Sequence, residues 1–173
     1  MYRIHLSVRI FVYLFIIGFL FQTSSWALNL QITSWVGTEQ VEEAKLRLIK
    51  DVIYHALDIY GRTLQGTRTI RLKIEFQDLG SEISAEGTPQ VSRSEPELPH
   101  IWYPLTLASQ LVDRDIPPIP EPQAYVRINS KNIDENLFSY SLAPDVPSNK
   151  IGLLNVILHD TRTLHGIHQY NKR

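Results

Sequence analysis

The sequence predicts an α+β fold, a small mixed sheet with one long helix near the N terminus and another helix near the C terminus. Three observations predict it. Apolar residues recur at intervals of three and four between Val41 and Tyr60, as on the buried face of a helix. Apolar and charged residues alternate from Ile70 to Phe76, as in a half-buried strand. A second helical period begins at about Ile151.

The first half of the domain contains two predicted strands and the long helix. Residues 28–35 (LNLQITSW) alternate apolar and polar side chains, which predicts a short first strand. Thr38 is the expected N-cap of the long helix, and Gly61 is expected to end it. The second strand, Ile70 to Phe76, has the clearest period of two in the chain.

The second half alternates between irregular segments and short elements. Residues 77–100 are rich in Gly, Pro, Ser and Glu, which predicts a long surface loop. A short helix is expected to start at Pro104, followed by a proline-rich connector and a third strand at 123–129. The last helix is expected to be capped by Ser148 or Asn149, with an inner face formed by Ile151, Leu154, Ile157, Leu158 and Thr161. This order of elements indicates helices packed on a small sheet.

The composition excludes several classes of protein. The chain of 173 residues has no cysteine, so it has no disulfide and no thiolate nucleophile, and any metal must be bound by His, Asp or Glu. The net charge is −1 and no basic stripe is interleaved with aromatic residues, so we expect no nucleic-acid partner. A G-x-S-x-G elbow and a phosphate-binding glycine loop are also missing from the sequence.

The N-terminal segment has the pattern of a signal peptide. Arg3 and Arg9 precede an apolar run from residue 10 to residue 21, and small residues at Ser25 and Ala27 predict cleavage after Ala27. The run has about 12 residues, whereas a spanning helix needs roughly 20. We therefore expect residues 1–27 to be removed and residues 28–173 to be a secreted or periplasmic domain without a stable membrane span. A retained N-terminal anchor is the alternative.

Three of the six histidines, His159, His165 and His168, lie in the last fifteen residues. Such a cluster is typical of a solvated helix end, and it is also compatible with a zinc site. At about 100° per residue, His159 and His165 are roughly 240° apart on a regular helix and cannot face one ion. His165 and His168 could pair only if the helix continues through Gly166.

Several segments in a fixed order carry a family resemblance. They are a strand with its following turn (IEFQDLG, 74–80), a Trp-Tyr-Pro helix start (WYPLTLASQL, 102–111), an Arg-Asp connector (DRD, 113–115), an Asn-Ser step (129–130) and the final helix (LLNVILHD, 153–160). The succession from residue 70 to residue 166 resembles the secreted bacterial matrixin-like zinc metallopeptidases of the HExxH type. The resemblance implies a zincin-like fold with the C-terminal helix as active-site helix, zinc as cofactor, and a peptide or protein substrate.

The zinc motif itself is degenerate. In HExxH, two histidines four residues apart bind zinc and the intervening Glu activates water. By the resemblance, His159 matches the first ligand and Asp160 the catalytic base, but Thr163 stands at the second ligand position. Gly166 matches the glycine of the longer metzincin pattern, and His168 lies one residue before the third ligand position. The resemblance thus implies His159 and His168 as metal ligands and Asp160 as the catalytic residue.

We therefore predict a secreted metallopeptidase-like protein that is catalytically inactive because of Thr163. Because the chain ends seven residues after Gly166, we also expect the domain to be truncated at its C terminus. Two alternatives stay open. One is an active zinc-dependent endopeptidase that uses His159, His168 and a further donor, with Asp160 as base. The other is a periplasmic binding module without enzymatic activity.

Overall fold

The computed structural model describes residues 27–92, 103–114, 116, 122–143 and 145–164. The predicted signal peptide up to residue 26, His165 and His168 lie outside these residues. The helices are α1 (Glu43–Thr63), α2 (Leu105–Leu111), α3 (Ser130–Asp134) and α4 (Leu153–Leu164). The strands are β1 (Leu30–Val36), β2 (Ile70–Gln77), β3 (Ala85–Pro89), β4 (Val91–Ser92), β5 (Tyr103–Pro104), β6 (Ala124–Asn129), β7 (Phe138–Ser139) and β8 (Ile151–Gly152).

The main sheet has four strands in the order β1-β2-β6-β3. The β1–β2 and β2–β6 pairs are parallel, whereas β3 runs antiparallel to β6. Two short pairs, β4 with β5 and β7 with β8, lie outside this sheet. The described chain is thus an α+β fold with a small mixed sheet, as the sequence predicts.

The hydrophobic core lies on one face of the sheet. The alternate residues of β2, from Ile70 to Phe76, are at most 3% exposed, because the period of two turns them all to this face. Both long helices bury residues in the same cluster, Ile49, Val52, Ile53, Ala56 and Leu57 from α1 and Leu153, Leu154 and Ile157 from α4. The core therefore fixes α4 against the sheet and against α1.

The opposite face of the sheet carries charged side chains. Glu75 accepts from Lys73 at 2.8 Å and from Arg127 at 3.0 Å, and Arg127 also reaches Glu86 at 3.4 Å. Lys73 and Arg127 both lie over the ring of Tyr125. The hydrogen bond from Lys73 and the contact with Arg127 hold the pKa of Glu75 below its usual value despite partial burial. These pairs join β2, β6 and β3 in register.

The long helix differs from its predicted limits at both ends. Residues Thr38–Gln40 form a separate 3-10 turn, so α1 begins only at Glu43. The helix continues through Gly61 and ends at Thr63, where the Leu64 amide donates to the Tyr60 carbonyl. Gly61 does not end the helix, because its backbone is not in the left-handed conformation with which a glycine terminates a helix.

The segment predicted as a loop at residues 77–100 contains the edge strand β3. All five residues of β3 are half-buried, so burial along the strand has no period of two. Main-chain pairing with β6 holds the strand instead, and such pairing leaves no mark in the side-chain pattern. The short helix α3 lies between the predicted third strand and the predicted last helix, in a segment for which the sequence predicts no element.

The final helix begins at Leu153, after β8, and not near the predicted caps Ser148 and Asn149. Leu154, Ile157 and Thr161 of its predicted inner face are buried, and Leu158 is partly buried against the core. Ile151 belongs to β8. The predicted helical period is therefore confirmed from residue 154 onward.

Within the part of the chain that the structure describes, no helix has the length and apolar composition needed to cross a membrane.

Candidate functional site

A cleft of about 430 Å³ opens between the start of β3 and α4. We call it the β3–α4 cleft. One wall comes from the end of the β2–β3 loop and the first residue of β3, and the other from one side of α4. The lining residues are Glu82, Ile83, Ser84 and Ala85 on the first wall and Asn155, Val156, His159 and Asp160 on the second.

The helical wall is positioned by packing and by one hydrogen bond. The buried side of α4 faces the core, so Asn155 and His159 are exposed on the side that borders the cleft. The hydroxyl of Tyr60 on α1 donates to the carbonyl of Leu158, the residue before His159. A buried apolar face and a bond from a second helix therefore hold the cleft side of α4 in place.

The other wall is held by Asn129, the last residue of β6, whose side chain is fully buried. Its amide nitrogen donates to the carbonyls of Gly80 at 2.6 Å and Ile83 at 2.7 Å. Its amide oxygen accepts from the backbone of Leu79 at 3.3 Å and of Lys131 at 3.1 Å. One buried amide thus satisfies four backbone groups and shapes the loop that leads into the cleft.

His159 and Asp160 are neighbours in sequence with different environments. The side chain of His159 is 76% exposed, whereas that of Asp160 is 12% exposed. Nδ1 of His159 lies 3.1 Å from Oδ1 of Asp160. This contact orients the imidazole ring and leaves Nε2 as the ring nitrogen available to a ligand.

The pKa of Asp160 is raised above its ordinary value. Burial of the carboxyl group is the main cause, because the charged form loses hydration. The hydrogen bond and the charge of His159 act in the opposite direction, and the nearby carboxylate of Glu86 raises the pKa further. A carboxyl group of this kind accepts a proton more readily than an exposed aspartate.

The residues that would hold zinc do not form a complete set within the described chain. Thr163 belongs to α4, one helical turn after His159, and His168 lies outside the described residues. Among the described side chains, no three His, Asp or Glu residues converge as a metal site would require. One imidazole with an adjacent carboxylate falls short of the three protein ligands of a catalytic zinc.

Of the predicted site residues, the structure brings together His159 and Asp160 in one cleft, while the position of His168 stays a prediction. Sequence reasoning missed the opposite wall, Glu82 to Ala85, because this segment was predicted as loop. It also missed the role of Asn129. The signal for that role was a polar residue at the end of a buried strand, which is where side chains cap neighbouring backbone.

No family model, no curated protein and no solved structure matches this chain. The metallopeptidase resemblance therefore depends on the residues described above.

Proposed function

We propose that this protein is an exported, zincin-like relative of the matrixin-type metallopeptidases that binds an extended polypeptide in the β3–α4 cleft without hydrolysing it. The observation that carries the proposal is the composition of the cleft. It contains an exposed imidazole oriented by a buried carboxylate, yet Thr163 stands where the resemblance requires a second histidine. A neutral hydroxyl is a poor zinc ligand, and losing one ligand lowers metal affinity severely.

Binding of a polypeptide is supported by the strand that borders the cleft. β3 has a strand neighbour on one side only among the described elements, so its other edge pairs with no described strand. An extended peptide adds to such an edge by main-chain hydrogen bonds, and side chains enter adjacent pockets. Ala85, the first residue of β3, lines the cleft, so the edge of this strand leads directly into the cleft.

A bulky side chain in the cleft tests polypeptide binding. Asn155 is exposed and lines the cleft, so Asn155→Trp is expected to fill it without disturbing the core. Fluorescence anisotropy of a labelled peptide built of Val, Ser and Lys should show affinity reduced at least about tenfold, roughly 1.4 kcal/mol. Asp51→Trp, at an exposed position of α1, is the matched control and should bind like the unchanged protein. Equal affinity of both variants would contradict binding in this cleft.

Restoring the motif tests the relation to the metallopeptidases. The double change Thr163→His with Asp160→Glu recreates HExxH, and we expect it to bind zinc with an affinity that the unchanged protein lacks. The control is Leu164→His with Asp160→Glu, which puts the new imidazole about 140° around the helix from His159. Zinc binding equal in both variants, or absent from both, would contradict the proposed alignment.

A zinc peptidase is the second candidate function, and one contact favours it. A histidine that binds zinc usually has its other ring nitrogen bonded to a carboxylate or carbonyl, and Nδ1 of His159 has that kind of partner in Asp160. In this alternative, His168 and a further donor complete the site and Asp160 acts as base. Peptide hydrolysis that is abolished both by a chelator and by His159→Ala would favour it over the first proposal.

A further inference from the structure

The β3–α4 cleft has an aliphatic lining with acidic groups on both walls. Ile83, Ala85 and Val156 are the apolar part of the lining. The ionisable residues beside His159 are Glu82 on the loop wall and Asp160 on the helical wall. Neither Lys nor Arg is among the described residues that line the cleft. A charged side chain entering this space from outside therefore meets the exposed carboxylate of Glu82, whereas the carboxyl group of Asp160 is largely buried.

The charged residues on the neighbouring strands leave this asymmetry in place. Arg127 is the cation that contacts Glu86, and it is also bound to Glu75 at 3.0 Å. Glu82 has a hydrogen bond from the Ser81 hydroxyl, at 3.3 Å, which leaves its charge in place.

We propose that the β3–α4 cleft selects extended peptides that place a lysine or arginine side chain between Glu82 and the His159–Asp160 pair. This inference rests on the proposed function and adds the chemical class of the partner. The peptide backbone pairs with the open edge of β3. The aliphatic part of the basic side chain packs on Ile83 and Val156, and its charged end meets the exposed carboxylate of Glu82.

Three labelled peptides test the selection. They share one extended sequence of Val and Ser and differ only in a central Lys, Gln or Glu residue. With the purified full chain at low salt, we expect affinity to fall in the order Lys, Gln, Glu. Because Glu82 is exposed, its share is modest, and Glu82→Gln should reduce affinity for the Lys peptide about two- to fivefold. High salt should reduce the difference between the Lys and Glu peptides.

The control is Asp51→Asn, which removes one negative charge from an exposed position of α1. It should leave the Lys preference unchanged. Equal affinity for the three peptides, or equal effects of Glu82→Gln and Asp51→Asn, would overturn the basic selection while leaving polypeptide binding intact. Failure of all three peptides to bind would overturn the proposed function together with this inference.

Discussion

Among the single residues of the site, Asp160 shows most clearly how burial changes chemistry, because burial raises its pKa. The resemblance to HExxH gives Asp160 the position of the catalytic base, but the burial that raises its pKa depends on tertiary packing. The same packing leaves the side chain of the preceding residue, His159, exposed to solvent. Two neighbours in sequence thus acquire different properties because a helix turns about 100° per residue.

The stability of the protein should depend on the protonation of Asp160. The raised pKa of Asp160 means that the folded protein holds this proton more tightly than the unfolded chain. Stability should therefore fall as pH rises from about 4, the ordinary aspartate value, through the higher folded-state pKa. Asp160→Asn removes this pH-dependent loss of stability and keeps a side-chain oxygen that can accept a hydrogen bond from His159.

Thermal unfolding followed by circular dichroism between pH 3 and pH 8 measures the effect. The stability of Asp160→Asn relative to the unchanged protein should increase with pH across this window. A relative stability that decreases with rising pH would contradict the assignment of a raised pKa.

Gly37 and Gly80 have left-handed backbones but different surroundings. Gly37 has φ +76° and Gly80 has φ +81°. A Cβ atom on Gly37 would lie 2.3 Å from the carbonyl oxygen of Phe76, whereas one on Gly80 would meet no atom within 4 Å. Gly80→Ala should cost about 1 kcal/mol of backbone strain, and Gly37→Ala about 2 kcal/mol more. Urea denaturation measures both, and equal costs would show that the close approach to Phe76 is relaxed.

At the scale of elements, the contact between α1 and α4 determines where the helical wall of the cleft lies. Tyr60→Phe removes the hydroxyl that donates to the Leu158 carbonyl but keeps the ring. We expect a loss of about 1 kcal/mol in the free energy of unfolding. Tyr54→Phe, on the same helix but 54% exposed, is the control and should change stability by less than about 0.5 kcal/mol. A larger loss for Tyr54→Phe would contradict this account.

The ion pairs on the polar face of the sheet should stabilise the protein. Glu75→Gln leaves Lys73 and Arg127 without their shared carboxylate, so stability at neutral pH should fall by about 1 to 2 kcal/mol. The lowered pKa means that this stabilisation is present above about pH 4.3, the ordinary glutamate value, and is lost as pH falls through the folded-state pKa. Denaturation at neutral and acidic pH checks both statements. A difference that grows on acidification would contradict them.

The elements with their own hydrophobic period were predictable, and those held by main-chain contacts were not. The alternation in β2 and the helical period in α1 follow from burial of one side of each element. By contrast, β3 has uniform half-burial, and its position depends on pairing with β6. The limits of α1 differ from those predicted from Thr38 and Gly61, because residues 38–40 form a separate 3-10 turn and the helix continues for two residues beyond Gly61.

In the molecule as a whole, the helical wall of the candidate site was predictable from the sequence and the facing wall was not. His159 and Asp160 are adjacent in sequence, so one motif contains both. The facing wall comes from residues more than 70 positions earlier, held by Asn129, and only the strand order β6-β3 brings it to α4. Residues that the strand order brings together from distant parts of the chain leave no pattern in the local spacing of the sequence.

We propose that the β3–α4 cleft serves binding and not zinc-dependent hydrolysis. The decisive measurement is the zinc content of the purified protein, determined by mass spectrometry after exposure to micromolar zinc and desalting. We predict far less than one zinc per chain, with no further change in His159→Ala. One zinc per chain that is lost in His159→Ala would contradict the proposed binding role.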